Sequence, residues 1–196
     1  MIEISNLIKA YKDNMIFQQF SLSFKDNEIT AVLGTSGCGK TTLLNILMGI
    51  DKDFSGTIEG ISNKRISVVF QENRLIETGT VKDNLIVVNS DLDECESMIE
   101  ALGMKGFFNS PIASLSGGMK RRVALARALL YGGDIYIFDE PFKGMDLQTK
   151  EKAMKLAKEK ISKKTCIFVT HDLKEAKVFA DRIVTVSGGL ADNGHI

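Results

Sequence analysis

Apolar residues along this chain group with two different periods. Short, almost wholly apolar runs lie at 29–33, 66–70, 135–138, 165–169 and 183–186, and between them apolar residues recur at helical spacing. A short continuous apolar run bounded by turn residues fits a strand buried on both faces, whereas recurrence every three or four residues fits an amphipathic helix. Strands alternating with helices predict a mainly parallel α/β sheet. The chain start differs: 2–4 and 21–24 alternate apolar with polar residues, as antiparallel strands with one wet face do, so a small antiparallel β layer is expected there. Between 72 and 114 strand-like runs disappear, and 81–88 and 92–102 read as helices. The expectation is one domain over 1–196, with a core formed by 1–71 and 115–196 and a helical subdomain at about 72–114.

Composition narrows the classes. With 196 residues, 44% of them apolar, the chain has the size and side chains for one real core. Its 25 Lys and Arg balance 25 Asp and Glu, so no net field draws it to nucleic acid or anionic lipid. The lysine-rich stretch 150–164 also carries Glu151 and Glu159, with Met154, Leu156, Ala157 and Ile161 at helical spacing. It reads as an amphipathic helix with a solvated charged face. The start MIEISNLIKAYKDN has charge throughout and no apolar core before a cleavage site, which predicts a cytoplasmic chain without a secretory signal. The most apolar windows, such as 43–50, fall far short of the ~20 residues that span a bilayer, so any membrane role is peripheral. Cys38, Cys95 and Cys166 lack CxxC spacing, which argues against a zinc site or disulfide framework.

Chemistry concentrates in three places. Gly34, Thr35, Ser36, Gly37, Cys38, Gly39, Lys40 and Thr41 match GxxxxGK[ST], directly after the run ending at Leu33 and before a helical pattern at 42–49. In that context glycines let backbone N–H groups close on phosphate oxygens, the lysine reaches the outer phosphates and the threonine hydroxyl can ligate Mg²⁺. The run 135–138 ends in Asp139 and Glu140. Strand ends are where α/β sheets bind ligands; Asp139 would hold Mg²⁺ and Glu140 would polarise a water attacking the γ-phosphate. Finally, Leu115-Ser116-Gly117-Gly118-Met119 precedes a helix at 120–131, with Ser116 as N-cap and Val123, Ala126, Leu129 and Leu130 on its buried side. Glycines and a hydroxyl at a helix start form a second anion site. No second GK[ST] lies beside it, so its simplest use is a nucleotide held by another copy.

These motifs, in this order, resemble the nucleotide-binding subunit of ATP-binding-cassette (ABC) transporters over nearly the whole chain. Walker A corresponds to 34–41, the Q-loop to Gln71 in VVFQENRL, the signature to LSGGM with KRRVALARAL, Walker B to 134–140, the D-loop to Gly144-Met145-Asp146 and the switch histidine to His171 after CIFVT. The resemblance implies a P-loop NTPase core and roles for further residues. Tyr11 takes the place of the aromatic that stacks on adenine, Thr42 extends the phosphate loop, and Ser116, Gly117, Gly118 and Asp146 face the second nucleotide. His171 senses the γ-phosphate, and Gln71 contacts Mg²⁺ and the attacking water. Met119 stands where glutamine is more common, a variation of importer-like members. Phe142-Lys143-Gly144-Met145 departs from the usual small residues before the D-loop aspartate.

The function implied is a Mg-ATP-hydrolysing subunit that closes as a head-to-tail homodimer and drives membrane permease subunits with a separate substrate-binding protein, at the inner face of the membrane. VVFQENRLIETGTVKDNL most resembles the nitrate, taurine and sulfonate importers. Two alternatives remain open at this point. A soluble ABC ATPase of DNA repair or translation usually has a tandem cassette or large insertion, and a P-loop small-molecule kinase leaves LSGGM and His171 unexplained.

Overall fold

A computed structural model describes residues 1–12, 14–187 and 190–192, and they form an α/β fold of two compact units. The first comprises Met1–Ile66, Asp134–Asp139 and Lys163–Ile196, and the second Ser67–Gly133 and Glu140–Ser162.

In the first unit, strands β1 (Ile2–Tyr11), β2 (Asn14–Phe24) and β4 (Ser55–Glu59) make an antiparallel sheet in the order β2-β1-β4. Its β1 and β2 are far longer than the expected 2–4 and 21–24. Register shifts between Ile4 and Leu7, Leu7 and Lys9, and Lys9 and Ala10 interrupt the alternation that would have revealed them. Strand β3 (Ile29–Leu33) pairs in parallel with β7 (Thr165–Val169) on one side and β8 (Arg182–Ser187) on the other, while β6 (Ile135–Asp139) flanks β7. Antiparallel β9 (Leu190–Asp192) closes the edge beyond β8, and β5 (Ile66–Val69) is the sixth strand of this sheet. All five residues of β6 and of β7 are buried, as the unbroken apolar runs predict for strands covered on both faces. Helix α1 (Lys40–Leu47) follows β3, and α6 (Leu173–Phe179), absent from the sequence expectation, follows β7.

The register fixes where chemistry sits. Val32 is level with Val169, and Val169 with Asp139. The residues just after β3 and β7, and the last residue of β6, therefore lie along one carboxyl edge of the sheet, where open α/β sheets bind ligands.

The second unit is helical: α2 (Val81–Ile86), α3 (Leu92–Ala101), α4 (Gly117–Tyr131) and α5 (Leu147–Lys160), with a 3-10 turn at Ile112–Ser114. Helices α2 and α3 pack on α4, and α5 packs on α3 and α4, so this unit extends beyond the expected helical stretch at 72–114. Val123, Ala126 and Leu129 of α4 are buried as expected, but Leu130 is only half-buried and Arg121 takes a buried place instead. No helix among the described residues is long and apolar enough to cross a membrane.

Candidate active site

The phosphate-loop motif begins where β3 ends. A Cβ at Gly34 would stand 2.4 Å from the Val186 carbonyl oxygen and 2.5 Å from Cys38 Sγ, so only glycine lets the loop lie this close to β8. Gly39, in the left-handed conformation with φ 99°, caps α1. Lys40 Nζ folds back to donate to the Gly34 and Thr35 carbonyls at 2.7 and 2.8 Å, with Cys38 Sγ at 3.7 Å. Thr35, Ser36, Gly37 and Thr41 are exposed, while Cys38, Lys40 and Thr42 are partly covered.

His171 follows the buried Thr170. The Thr170 hydroxyl donates to buried Glu175 at 2.7 Å and accepts from the Asp172 amide at 3.1 Å, and Asp172 then caps α6. The turn that carries His171 is thus fixed on both sides. His171, Gly34, Thr35 and Ser36 line a single cleft of about 420 Å³, floored by Thr185, Val186 and Ser187 of β8. Asp139 is buried at the end of β6.

Tyr11 is half-exposed and donates its hydroxyl to Asp51 at 2.6 Å. Beside it, buried Lys9 places Nζ 3.0 Å from Asp51 and 4.5 Å from the centre of the Tyr11 ring. The Tyr11 hydroxyl and then the Lys9 ammonium hold the Asp51 carboxyl below the usual carboxylate range, while the bond to Asp51 raises the Tyr11 phenol.

The remaining sequence-predicted residues belong to the second unit. Ser116 caps α4 through the Met119 amide at 3.3 Å and is exposed with Gly117. A Cβ at Gly118 would lie 2.5 Å from the Gly144 carbonyl oxygen, so the signature turn and the segment leading to Asp146 meet backbone to backbone. Asp146 caps α5 at the Thr149 amide, which holds its carboxyl below the usual range. Glu140 adopts φ 50°, unusual for a residue with a side chain. Its Oε2 sits 2.5 Å from Lys143 Nζ, and Gln71 is exposed just after β5.

One residue without an assigned role brings the last two together. Arg121, only 3% exposed, sends Nε and Nη2 to the Glu140 carbonyl at 2.9 and 2.7 Å. Its Nη1 donates to the Phe70 and Gln71 carbonyls and to Asn73 Oδ1. The signal for it is positional: on α4, residue 121 shares a face with Leu125 and Ala128, both buried, which is where an arginine needs a purpose.

The ABC transporter family matches residues 17–143. Aliphatic sulfonates import ATP-binding protein SsuB 2 of Pseudomonas syringae pv. tomato is 37% identical over 183 residues, covering 91% of this chain and 78% of that protein. SsuB 1 of Paracoccus denitrificans is 35% identical over 199 residues, covering 99% and 82%. Among solved structures, the dimeric post-hydrolysis state of the ATP-binding cassette MJ0796 bound to ADP and Pi is similar with a TM-score of 0.86 at 27% identity, over 98% of both chains. A dimeric structure of MJ0796 described as a bacterial ABC transporter cassette gives 0.83 at 30% identity, again over 98% of both. With a family match across more than half of its length, and relatives above 30% identity along most of both sequences, this chain belongs to the ABC transporter family.

Proposed function

We propose that this chain, an importer-type ABC ATPase, binds Mg-ATP at the interface of a head-to-tail homodimer and drives separate membrane permease subunits fed by a substrate-binding protein. The observation that carries the reading is the cleft in which the phosphate-loop residues Gly34, Thr35 and Ser36 meet His171 at the carboxyl edge of the sheet. A phosphate chain held by loop amides and Lys40 there puts its outer phosphate within the province of a histidine that can hydrogen-bond it. Two dimeric cassettes among the similar structures support the dimer, and the names of the sulfonate-import relatives support import.

The roles follow from chemistry. Gly34 to Lys40, Thr41 and Thr42 hold the phosphates, and Tyr11 offers a half-exposed ring to the base. Thr41, Asp139 and Gln71 would hold Mg²⁺, which when bound neutralises charge on the phosphate oxygens. Glu140 is the general base, and Ser116, Gly117, Gly118 and Asp146 serve the nucleotide of the other copy. We take 72–114 as the helical subdomain and 72–88 within it as the surface that receives the permease, with the chain at the cytoplasmic face of the membrane; its balanced charge gives nucleic acid no general attraction.

The test is complementation. Glu140→Gln and Ser116→Ala chains, each inactive alone, are mixed with different tags and the heterodimer is isolated. One composite site then carries both lesions and the other carries none, so hydrolysis returns to about half of the wild-type rate if the sites work independently. A heterodimer with only the average of the two mutant rates would overturn the trans arrangement.

A further inference from the structure

Two residues of the second unit with ordinary side chains adopt left-handed backbone: Arg74, with φ 46°, and Glu140, with φ 50°. That conformation is unfavourable for a residue with a Cβ, so neighbouring structure has to hold it. Each carbonyl is gripped by an arginine of α4. Arg127 Nη2 donates to the Arg74 carbonyl at 2.9 Å and to the Asn73 carbonyl at 3.1 Å. Arg121 donates twice to the Glu140 carbonyl and, from the other prong, to the Phe70 and Gln71 carbonyls and to the Asn73 side chain.

We infer that Arg121 is a positioning residue that holds the Gln71 turn and the Glu140 peptide in fixed register, so that the metal- and water-contacting glutamine and the general base are set by one buried guanidinium. This rests on the ATPase reading of Gln71 and Glu140 given above. The chemistry requires arginine in particular. A guanidinium is a planar fork with five donors, able to serve acceptors on two chain segments at once, whereas an ammonium is a point donor on a flexible stem. Burial sharpens the requirement, since a main-chain carbonyl that loses its donor away from water is left unsatisfied. Glu140 is held at its other end too, by Lys143 on Oε2, so the clamp on its carbonyl decides where that carboxylate can reach. Because α4 begins at the Ser116 cap, the signature serine and the clamping Arg121 sit on one helix, and a shift of that helix is passed through Arg121 to Gln71 and Glu140 together.

Hydrogen exchange and steady-state kinetics on the full chain test this with Arg121→Gln. Peptides covering 70–74 and 139–142 should exchange about tenfold faster than in the wild type, because both segments lose the donor that holds their carbonyls, while α1 peptides stay unchanged. ATP affinity should remain within about threefold and kcat should fall about 10- to 100-fold, the usual consequence of a misplaced catalytic group. Arg121→Lys, which keeps the charge and loses the fork, should behave the same way and serves if the glutamine variant does not fold. Unchanged exchange in both segments, unchanged kcat, or a uniform loosening of every second-unit peptide would overturn the positioning role. If the wild-type chain hydrolyses no ATP, the proposed function fails, and the exchange pattern still decides whether Arg121 clamps the two segments.

Discussion

Lys40 in the phosphate loop and Arg121 in α4 both direct their charge at main-chain carbonyls, and the two regions use that device for opposite ends. Lys40 is partly exposed and its two carbonyl partners lie on an open loop beside a cleft. A phosphate can replace those carbonyls at little cost, because the loop oxygens turn to water. Arg121 is buried, and its partners lie on two chain segments. Removing it leaves the carbonyls of the half-buried Phe70 and Glu140 without their guanidinium donor, at up to ~1–3 kcal/mol for a group that water does not re-solvate. The same bond therefore serves as an exchangeable placeholder in one region and as a fixed strut in the other, and exposure decides which.

The strongest break of this comparison is Lys40→Ala. It should cut ATP turnover by about 10²- to 10³-fold, the scale for losing one preorganised donor to a transferring phosphate, yet leave the melting temperature unchanged. A thermal scan beside an ATPase assay checks it. A clear drop in melting temperature would make Lys40 a strut like Arg121, and the distinction between the regions would collapse.

A second, smaller effect sharpens the claim that the phosphate loop is open. Cys38 Sγ lies 3.7 Å from Lys40 Nζ on a partly exposed turn, whereas Cys95 and Cys166 are buried. A maleimide should therefore modify Cys38 first, inhibit turnover in proportion to the fraction modified, and be slowed by ATP. Full modification with normal turnover would show that the loop does not surround the phosphates.

The two regions also differ in how far the sequence revealed them. The phosphate loop, the strand before it and the capped α4 are local patterns, in which glycine, lysine and hydroxyl spacing coincide with a change of period. The role of Arg121 is not local. Its acceptors lie 19 to 51 residues away, and a buried arginine next to Lys120 and Arg122 looks like one more charge on a solvated turn. Burial and chain reversal, which create the strut, have no signature in spacing. Strand β4 was hidden for a related reason: among its residues only Ile58 is partly covered, so it offers no apolar run. Helix α6, with seven residues, is too short to show a period.

The smallest effect concerns a third cation, one that rests on carboxylates. Lys9 is 2% exposed, and its Nζ meets Asp51 at 3.0 Å and Asp53 at 3.5 Å. Burial works against its charge, but those two aspartates outweigh it and leave the ammonium above its usual range. Asp51 is correspondingly held below its usual range, by the Tyr11 hydroxyl first and Lys9 second. A carboxyl depressed in the folded chain stabilises the fold fully above its unfolded value of ~3.9, and that contribution is lost as pH falls through the lower folded value. The melting temperature of the wild type should thus fall further between pH 5 and pH 3 than that of Asp51→Asn, which carries no titrating group at this position. Lys40→Ala should keep the wild-type slope, because the carbonyls that Lys40 touches take up no proton in this range. Parallel slopes for wild type and Asp51→Asn would show that the Lys9 cluster contributes no more pH dependence than the carbonyl-capped cations do.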